Sequence, residues 1–114
     1  MGNPDLLITL TSYERDANNV TIAFTMGLKA LEKGYKAEIL LLSHAVHLVE
    51  KGYADKIDIG APFKPIKEIL PAFLENGGSL KVCSACMEHN NVKEENIIEG
   101  AEVVMADYVI DAIM

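Results

Sequence analysis

The chain of 114 residues has only two cysteines, no tryptophan and 6% aromatic residues. Two cysteines cannot build the disulfide framework of a small secreted domain. A chain of this length buries roughly two-thirds of its unfolded surface, so one hydrophobic core suffices without cross-links. Half of the residues are apolar and 24% are charged, as in ordinary globular proteins. We therefore expect a single intracellular domain over residues 1–114.

Basic residues are also scarce, since 10 Lys and Arg stand against 17 Asp and Glu, for a formal net charge of −7. Binding to nucleic acid or to an anionic membrane surface needs clustered Lys and Arg, so neither is expected as a partner. The apolar run 39–42 is too short to span a membrane, and the first five residues lack the basic start of a signal peptide. These absences predict a cytoplasmic protein.

The glycine-rich phosphate-binding motifs Gly-x-Gly-x-x-Gly and Gly-Lys-Ser/Thr are missing as well. A nucleotide site therefore has no support, and the sequence implies no cofactor.

Short apolar runs alternate with stretches of helical periodicity. The runs predict buried strands near residues 6–10, 37–42, 80–82 and 101–104, the first of them covered on both faces. Apolar steps of three and four residues predict a long first helix with Leu28 at the centre of its buried face. They also predict a second helix, kinked or broken at Pro71, and a closing helix with Val109, Ile110 and Ile113 inward. This order predicts an α/β fold of three layers, α/β/α, with a small, mainly parallel sheet.

Cys83 and Cys86, spaced Cys-x-x-Cys, follow the predicted third strand directly. Chemistry in an open parallel sheet collects at the carboxyl ends of its strands. The start of a helix favours the thiolate, which is the nucleophilic form. Cys86 comes one helical turn later, close enough to resolve a bond made at Cys83, and His89 could assist as a cation or a base. The pair predicts redox, thiol-transfer or metal chemistry, although free cysteines also serve as small buried apolar residues.

Polar residues follow the first two predicted strands as well. Ser43 is expected to cap a short helix in which His44 and His47, three residues apart, share a face. The two histidines could be metal ligands or proton carriers, but surface histidines are commoner. Thr11 and Ser12 could hydrogen-bond an anion, although such residues more often cap and turn.

The segments 73–83, FLENGGSLKVC, and 99–104, EGAEVV, resemble the DsrE/DsrF-like family of small sulfur-handling proteins, which includes TusD and YchN-like proteins. The likeness extends over nearly the whole chain. It implies that Cys83 is the residue that carries sulfur as a persulfide in the relay members, and that Cys86 is a second cysteine found in part of the family. It also implies a cytoplasmic homo-oligomer, a trimer or hexamer, with sulfur donor and acceptor proteins as partners. Members usually add a strand after the last helix, so we expect one sheet edge to need protection or pairing.

The leading hypothesis is therefore a sulfur-carrier or sulfurtransferase-like protein with Cys83 and Cys86 as its catalytic residues. A thiol–disulfide switch is a close variant that needs both cysteines. A metal-binding module of the Cys₂His or Cys₂His₂ type would use the cysteine pair with His89, or with His44 and His47, but the fixed spacing of a zinc finger is absent. A non-catalytic oligomeric scaffold is the third alternative. Whether the protein is an enzyme stays open at this point.

Overall fold

The computed structural model describes residues 5–11 and 17–113. Within these residues the strands β1 (Leu6–Leu10), β2 (Ala37–Leu41), β3 (Ser79–Cys83) and β4 (Ala101–Val104) form one parallel sheet in the order β1-β2-β3-β4. The α-helices are α1 (Ala17–Glu32), α2 (Ile66–Glu75), α3 (Ser84–His89) and α4 (Ala106–Ile113), and 3₁₀ helices cover Ser43–Val49, Ala54–Lys56 and Glu94–Asn96. None of the described helices is long and apolar enough to cross a membrane.

One face of the sheet carries the main hydrophobic core together with α1 and α2. Side chains alternate between the faces of a strand, so every second residue points to this core. Phe24 of α1 and Phe73 of α2 are fully buried and meet edge to face, with ring centroids 6.0 Å apart. The strand residues that join them are Ala37, Ile39, Leu41, Leu80 and Val82. The expected centre of the α1 face was wrong, because Leu28 is only half-buried and Phe24 takes that place.

The opposite face of the sheet is polar in part and lies under α4. Glu38 of β2 is only 3% exposed, and its Oε1 accepts a hydrogen bond of 2.6 Å from the Tyr108 hydroxyl of α4. Lys81 of β3 pairs with Glu102 of β4, and its ammonium lies 5.5 Å from the centre of the Tyr108 ring. These contacts put α4 on the face opposite α1 and α2. The predicted three-layer α/β/α arrangement is confirmed.

Two predictions about buried surfaces were wrong. Ile110 is 59% exposed, because Tyr108 is the α4 side chain that reaches the buried carboxylate of Glu38. The predicted inward side chain of Ile113 lies outside the described side chains, and Val109 is half-buried. β1 is an edge strand and its side chains are mostly half-buried, so it is not covered on both faces.

The second helix is not broken at Pro71, although proline removes a backbone donor there. Pro71 is exposed, while Ile66, Ile69 and Phe73 of the same helix are buried on the core side. Burying three large apolar side chains stabilises the helix by roughly 5 kcal/mol or more, which exceeds the roughly 3 kcal/mol that an interior proline costs. The apolar face therefore decides the course of α2.

The contact between Tyr108 and Glu38 has a measurable consequence at high pH. Burial, and then the hydrogen bond and charge of Glu38 and the charge of Glu102, raise the pKa of Tyr108 to about 12. Because the fold favours the neutral phenol, this stabilisation is complete below pH ~10, the ordinary tyrosine value, and is lost as the pH rises through about 12.

We expect a phase near pH 12 when the tyrosinate absorbance of the folded protein is titrated. Tyr108→Phe should remove this phase, because the phenol that donates to Glu38 is gone. Tyr35→Phe is the matched control, since Tyr35 is 52% exposed and outside this cluster, and it should leave the late phase in place. A Tyr108→Phe titration identical to that of the parent chain would contradict the assignment.

Candidate functional site

Cys83 stands where an interior strand passes directly into a helix. It is the last residue of β3 and the N-cap of α3, with extended backbone angles, φ −72° and ψ 123°. In the neighbouring strand Val104 is its register partner. The cysteine is 8% exposed. The predicted junction of strand, cysteine and helix is therefore present, with the thiol almost enclosed at the carboxyl edge of the sheet.

Cys86 lies one turn further along α3 and is half-buried against the main core. Both cysteines are free thiols. Burial is the main cause that raises the pKa of Cys86, and a side-chain hydrogen bond to Cys83 and the charge there raise it further. A hydrogen bond from the backbone N–H of Ser43 acts in the opposite direction. Cys86 is therefore held between Cys83 and Ser43 and keeps its proton at neutral pH.

Ser43 brings the end of β2 to the cysteine helix. It is the first residue of the 3₁₀ helix Ser43–Val49, whose N-cap is Leu42 without a side-chain cap bond, so the predicted capping role of Ser43 was wrong. Ser43 has φ 54°, in the left-handed region that non-glycine residues rarely adopt. In this conformation its N–H binds the sulfur of Cys86, and its carbonyl faces the side chain of Asn90.

Asn90 connects the two segments. It is the C-cap of α3, and its Nδ2 donates to the carbonyl oxygens of Cys86, at 2.9 Å, and of Ser43, at 3.3 Å. Its Oδ1 accepts a hydrogen bond of 3.0 Å from Nδ1 of His44. Sequence reasoning gave Asn90 no role. Asparagine at a helix end was a signal for a cap, but nothing in the sequence pointed to partners 46 and 47 residues away.

The site lies in a chain that matches a known protein family over nearly its whole length. The model of the DsrE/DsrF-like family matches residues 6–113, which is almost the whole chain. The chain belongs to the DsrE/DsrF-like family. The resemblance expected from the segments around Cys83 and Val104 is confirmed.

Relatives of this DsrE/DsrF-like chain include two archaeal proteins that are themselves uncharacterised. Protein MJ0989 of Methanocaldococcus jannaschii is 29% identical over 98 residues, which are 86% of this chain and 80% of the relative. Protein MK0008 of Methanopyrus kandleri is 28% identical over 108 residues, which are 90% and 84% of the two chains. These relatives extend the family match without adding an activity.

Solved structures show the same fold at low sequence identity. The YchN protein of E. coli has a TM-score of 0.66 and 15% identity, with 95% of this chain and 88% of that chain covered. Protein BT1422 of Bacteroides thetaiotaomicron has a TM-score of 0.68 and 19% identity, with 95% and 85% covered. The DsrE/YchN fold predicted from the sequence is therefore shown.

The histidines of this DsrE/DsrF-like chain have different surroundings. His44 belongs to the cysteine site, whereas His47 binds Glu50 through Nδ1 at 2.8 Å and stacks on Tyr53. His89 is exposed at the end of α3. Within residues 5–11 and 17–113, no three His, Cys, Asp or Glu side chains are grouped so that they could hold a metal ion. The metal-binding alternative gains no ligand set from the part of the chain that the structure describes.

The two residues that could bind an anion after the first strand are described only in part. Thr11 is exposed at the carboxyl end of β1, and Ser12 lies outside the described residues. The cysteines, Ser43, His44 and Asn90 are thus the described residues that come together at this edge of the sheet.

Proposed function

We propose that this DsrE/DsrF-like protein carries sulfur as a persulfide on Cys83. The observation that carries the proposal is the pair of free thiols at the carboxyl edge of the sheet, with Cys83 at the strand–helix junction and Cys86 within hydrogen-bonding reach of it. The DsrE/DsrF-like family is associated with sulfur relay, which supports the same chemistry.

Loading is a thiol–persulfide exchange. The thiolate of Cys83 attacks the terminal sulfur of a donor persulfide, the sulfur–sulfur bond of the donor breaks, and the donor leaves as a thiolate. Cys83 then bears the terminal sulfur, and no outside oxidant or reductant is needed. Such exchange proceeds through a thiolate nucleophile, so a cysteine that keeps its proton reacts more slowly. The raised pKa of Cys86 makes it the weaker candidate for this step.

Unloading has two routes. In transfer, the thiolate of an acceptor attacks the terminal sulfur and leaves Cys83 as a thiolate. In release, Cys86 attacks the inner sulfur of Cys83, a disulfide forms between the two cysteines, and the terminal sulfur leaves as hydrosulfide. The second route needs Cys86 to lose its proton. Because the pKa of Cys86 is raised, release is slow at neutral pH and the loaded state persists for transfer.

The experiment that tests this function is intact-mass spectrometry of the protein after incubation with a small-molecule persulfide donor. We expect a gain of one sulfur atom that is removed by a thiol reductant. Alkylation of the loaded protein, followed by peptide mapping, should locate the extra sulfur on Cys83. Absence of the adduct at all donor concentrations would reject the function.

A thiol–disulfide switch is the second candidate, and the proximity of the two sulfurs favours it. In that case Cys83 and Cys86 exchange between dithiol and disulfide without carrying a third sulfur atom. The same mass experiment separates the two functions, because a switch loses two hydrogen atoms on oxidation and gains no sulfur.

We propose further that the protein is a cytoplasmic homo-oligomer, a trimer or hexamer, that meets sulfur donor and acceptor proteins. The support is the outer edge of β1, which has no partner strand among the described residues, and the groove of about 700 Å³ beside it, which exposes Ile22, Met26 and Tyr35 by 41%, 58% and 52%. Apolar surface next to an unpaired strand edge is typical of an interface. Light scattering at micromolar concentration is expected to give three or six times the chain mass of 12.5 kDa, and a monomer would reject this assembly.

A further inference from the structure

Both the amide nitrogen and the amide oxygen of the Asn90 side chain are hydrogen-bonded, and their partners lie on α3 and on the 3₁₀ helix Ser43–Val49. An asparagine has two N–H donors and one carbonyl acceptor. The donors bind the carbonyl oxygens of Ser43 and Cys86, and the acceptor binds the ring of His44. The reversed orientation would turn Oδ1 toward two carbonyl oxygens. The hydrogen bonds therefore select one orientation of Asn90, and through it one position of the Ser43 backbone relative to α3.

The backbone of Ser43 needs such support. A serine at φ 54° is strained, and strained residues persist only where their surroundings hold them. Asn90 donates to the carbonyl oxygen of Ser43, and the backbone N–H of Ser43 donates to the sulfur of Cys86. A shift of Ser43 out of the left-handed region would turn this N–H away from the sulfur. The bond from Asn90 to Ser43 is therefore coupled to the bond from Ser43 to Cys86.

We propose that Asn90 is a positioning residue that holds the Ser43 amide against the sulfur of Cys86 and thereby sets the rate at which Cys86 releases sulfur from Cys83. The placement of Ser43 beside Cys86 stands on the hydrogen bonds of Asn90 to the carbonyl oxygens of both residues, while the effect on release rests on the proposed persulfide function. The step that it assists is the attack of the Cys86 thiolate on the inner sulfur of Cys83. The Ser43 N–H favours the charged form of Cys86 and so makes the nucleophile available.

Several ionisable groups lie on α3 and on the two elements that pack against it, β3 and the 3₁₀ helix Ser43–Val49. The interactions that shift the pKa of Cys86 come from burial, Ser43 and Cys83. Replacing Cys83 by serine therefore leaves burial and the Ser43 amide as the two opposing causes. The described ionisable groups on these elements are Lys81, Cys83, His44, His47, Glu88 and His89.

The first measurement uses Cys83→Ser protein, in which Cys86 is the single thiol. Its alkylation rate is followed against pH, with and without the added change Asn90→Ala. We expect Asn90→Ala to move the midpoint upward by about one pH unit, because a hydrogen bond to a charged group is lost. Asn90→Asp should move it upward too, since its carboxylate cannot donate to the Ser43 carbonyl. A midpoint that stays in place or falls in both variants overturns the proposal.

The chain offers a matched control in Asn76. Asn76 is the C-cap of α2, and its Nδ2 donates to the carbonyl oxygen of Ala72 four residues earlier, as Asn90 does to Cys86. Asn76→Ala removes an equivalent helix cap far from the cysteines. It should lower the melting temperature about as much as Asn90→Ala and leave the pH midpoint of Cys86 unchanged. An equal midpoint shift in Asn76→Ala would mean that general loosening, not positioning, moves Cys86.

The second measurement follows the loss of the sulfur adduct from the parent chain and from Asn90→Ala at neutral pH. A midpoint higher by one pH unit lowers the thiolate fraction of Cys86 at neutral pH about tenfold. The more basic thiolate is about threefold more reactive, so release should slow by about threefold overall. Loading should be unchanged. If no variant loads sulfur, the proposed function fails while the pH midpoint still tests the placement. Equal release from both proteins, with loading intact, overturns the role of Asn90 alone.

Discussion

Cys83→Ser protein is expected to gain no sulfur atom from a persulfide donor under conditions in which the parent chain is fully loaded. The reason is that Cys83 is the thiol at the end of β3, whereas the raised pKa of Cys86 leaves that residue protonated at neutral pH. Intact mass against time is the measurement. Loading of Cys83→Ser to the level of the parent would end the proposal that Cys83 carries the sulfur.

Cys86→Ser is expected to behave in the opposite way. It should gain the same single sulfur atom and hold it longer than the parent, because the thiol that releases hydrosulfide is gone. Ser84→Ala is the matched control between the two cysteines, since Ser84 is the first residue of α3 and carries no thiol, and it should load and unload like the parent. Loss of loading in Ser84→Ala would show that any disturbance of this helix turn prevents sulfur binding.

The alternatives give other patterns for the same set of variants. A thiol–disulfide switch forms its disulfide only in the parent and in Ser84→Ala, and gains no sulfur in any variant. If the two cysteines serve only to stabilise the fold, both single variants would be less stable, and neither the parent nor the variants would gain sulfur. The asymmetry between Cys83→Ser and Cys86→Ser is therefore specific to the carrier.

Phe73→Ala is expected to lower the free energy of unfolding by about 3–5 kcal/mol. Phe73 of α2 is fully buried, and its ring packs edge to face on Phe24 of α1. A Cβ built on Gly78 would come within 2.5 Å of the same ring, so the backbone is fitted closely around it. Since domains of this size have a total stability of about 5–15 kcal/mol, chemical denaturation should show a large shift or an unfolded variant.

Leu28→Ala provides the comparison within the same core. Leu28 packs against the core but is only half-buried, so its truncation leaves a smaller cavity and should cost about 1–2 kcal/mol less than Phe73→Ala. Equilibrium unfolding in urea measures both variants. A larger loss of unfolding free energy for Leu28→Ala than for Phe73→Ala would mean that Leu28, and not Phe73, lies at the centre of the core.

The elements of the fold could be predicted from the sequence because their signals are local. The mostly apolar residues of β2 and the three- and four-residue spacing in α1 identified buried elements. The position of Cys83 was predicted correctly because it directly follows apolar strand residues. Alternation of strands and helices then led to the parallel sheet.

The contacts that complete the site and the second face could not be predicted in this way. Tyr108 binds Glu38 across 70 residues, and Asn90 binds Ser43 across 47. Their side chains carry no periodic signal, and one apolar neighbour, Ile110, predicted the wrong inward face for α4. Pairings of single polar groups depend on the finished packing, so propensity and hydrophobic pattern do not reveal them.

The position of α4 also bears on how the protein is made. A ribosome delivers the strands in the order in which they lie in the sheet, and α4 emerges after all four of them. The aromatic core between α1, α2 and the sheet can therefore close while Glu38 on the other face is still hydrated. The Tyr108 hydroxyl then donates to Oε1 of Glu38 when α4 packs on this face. Synthesis from the N-terminus thus brings Glu38 its tyrosine partner only after the whole sheet has been made.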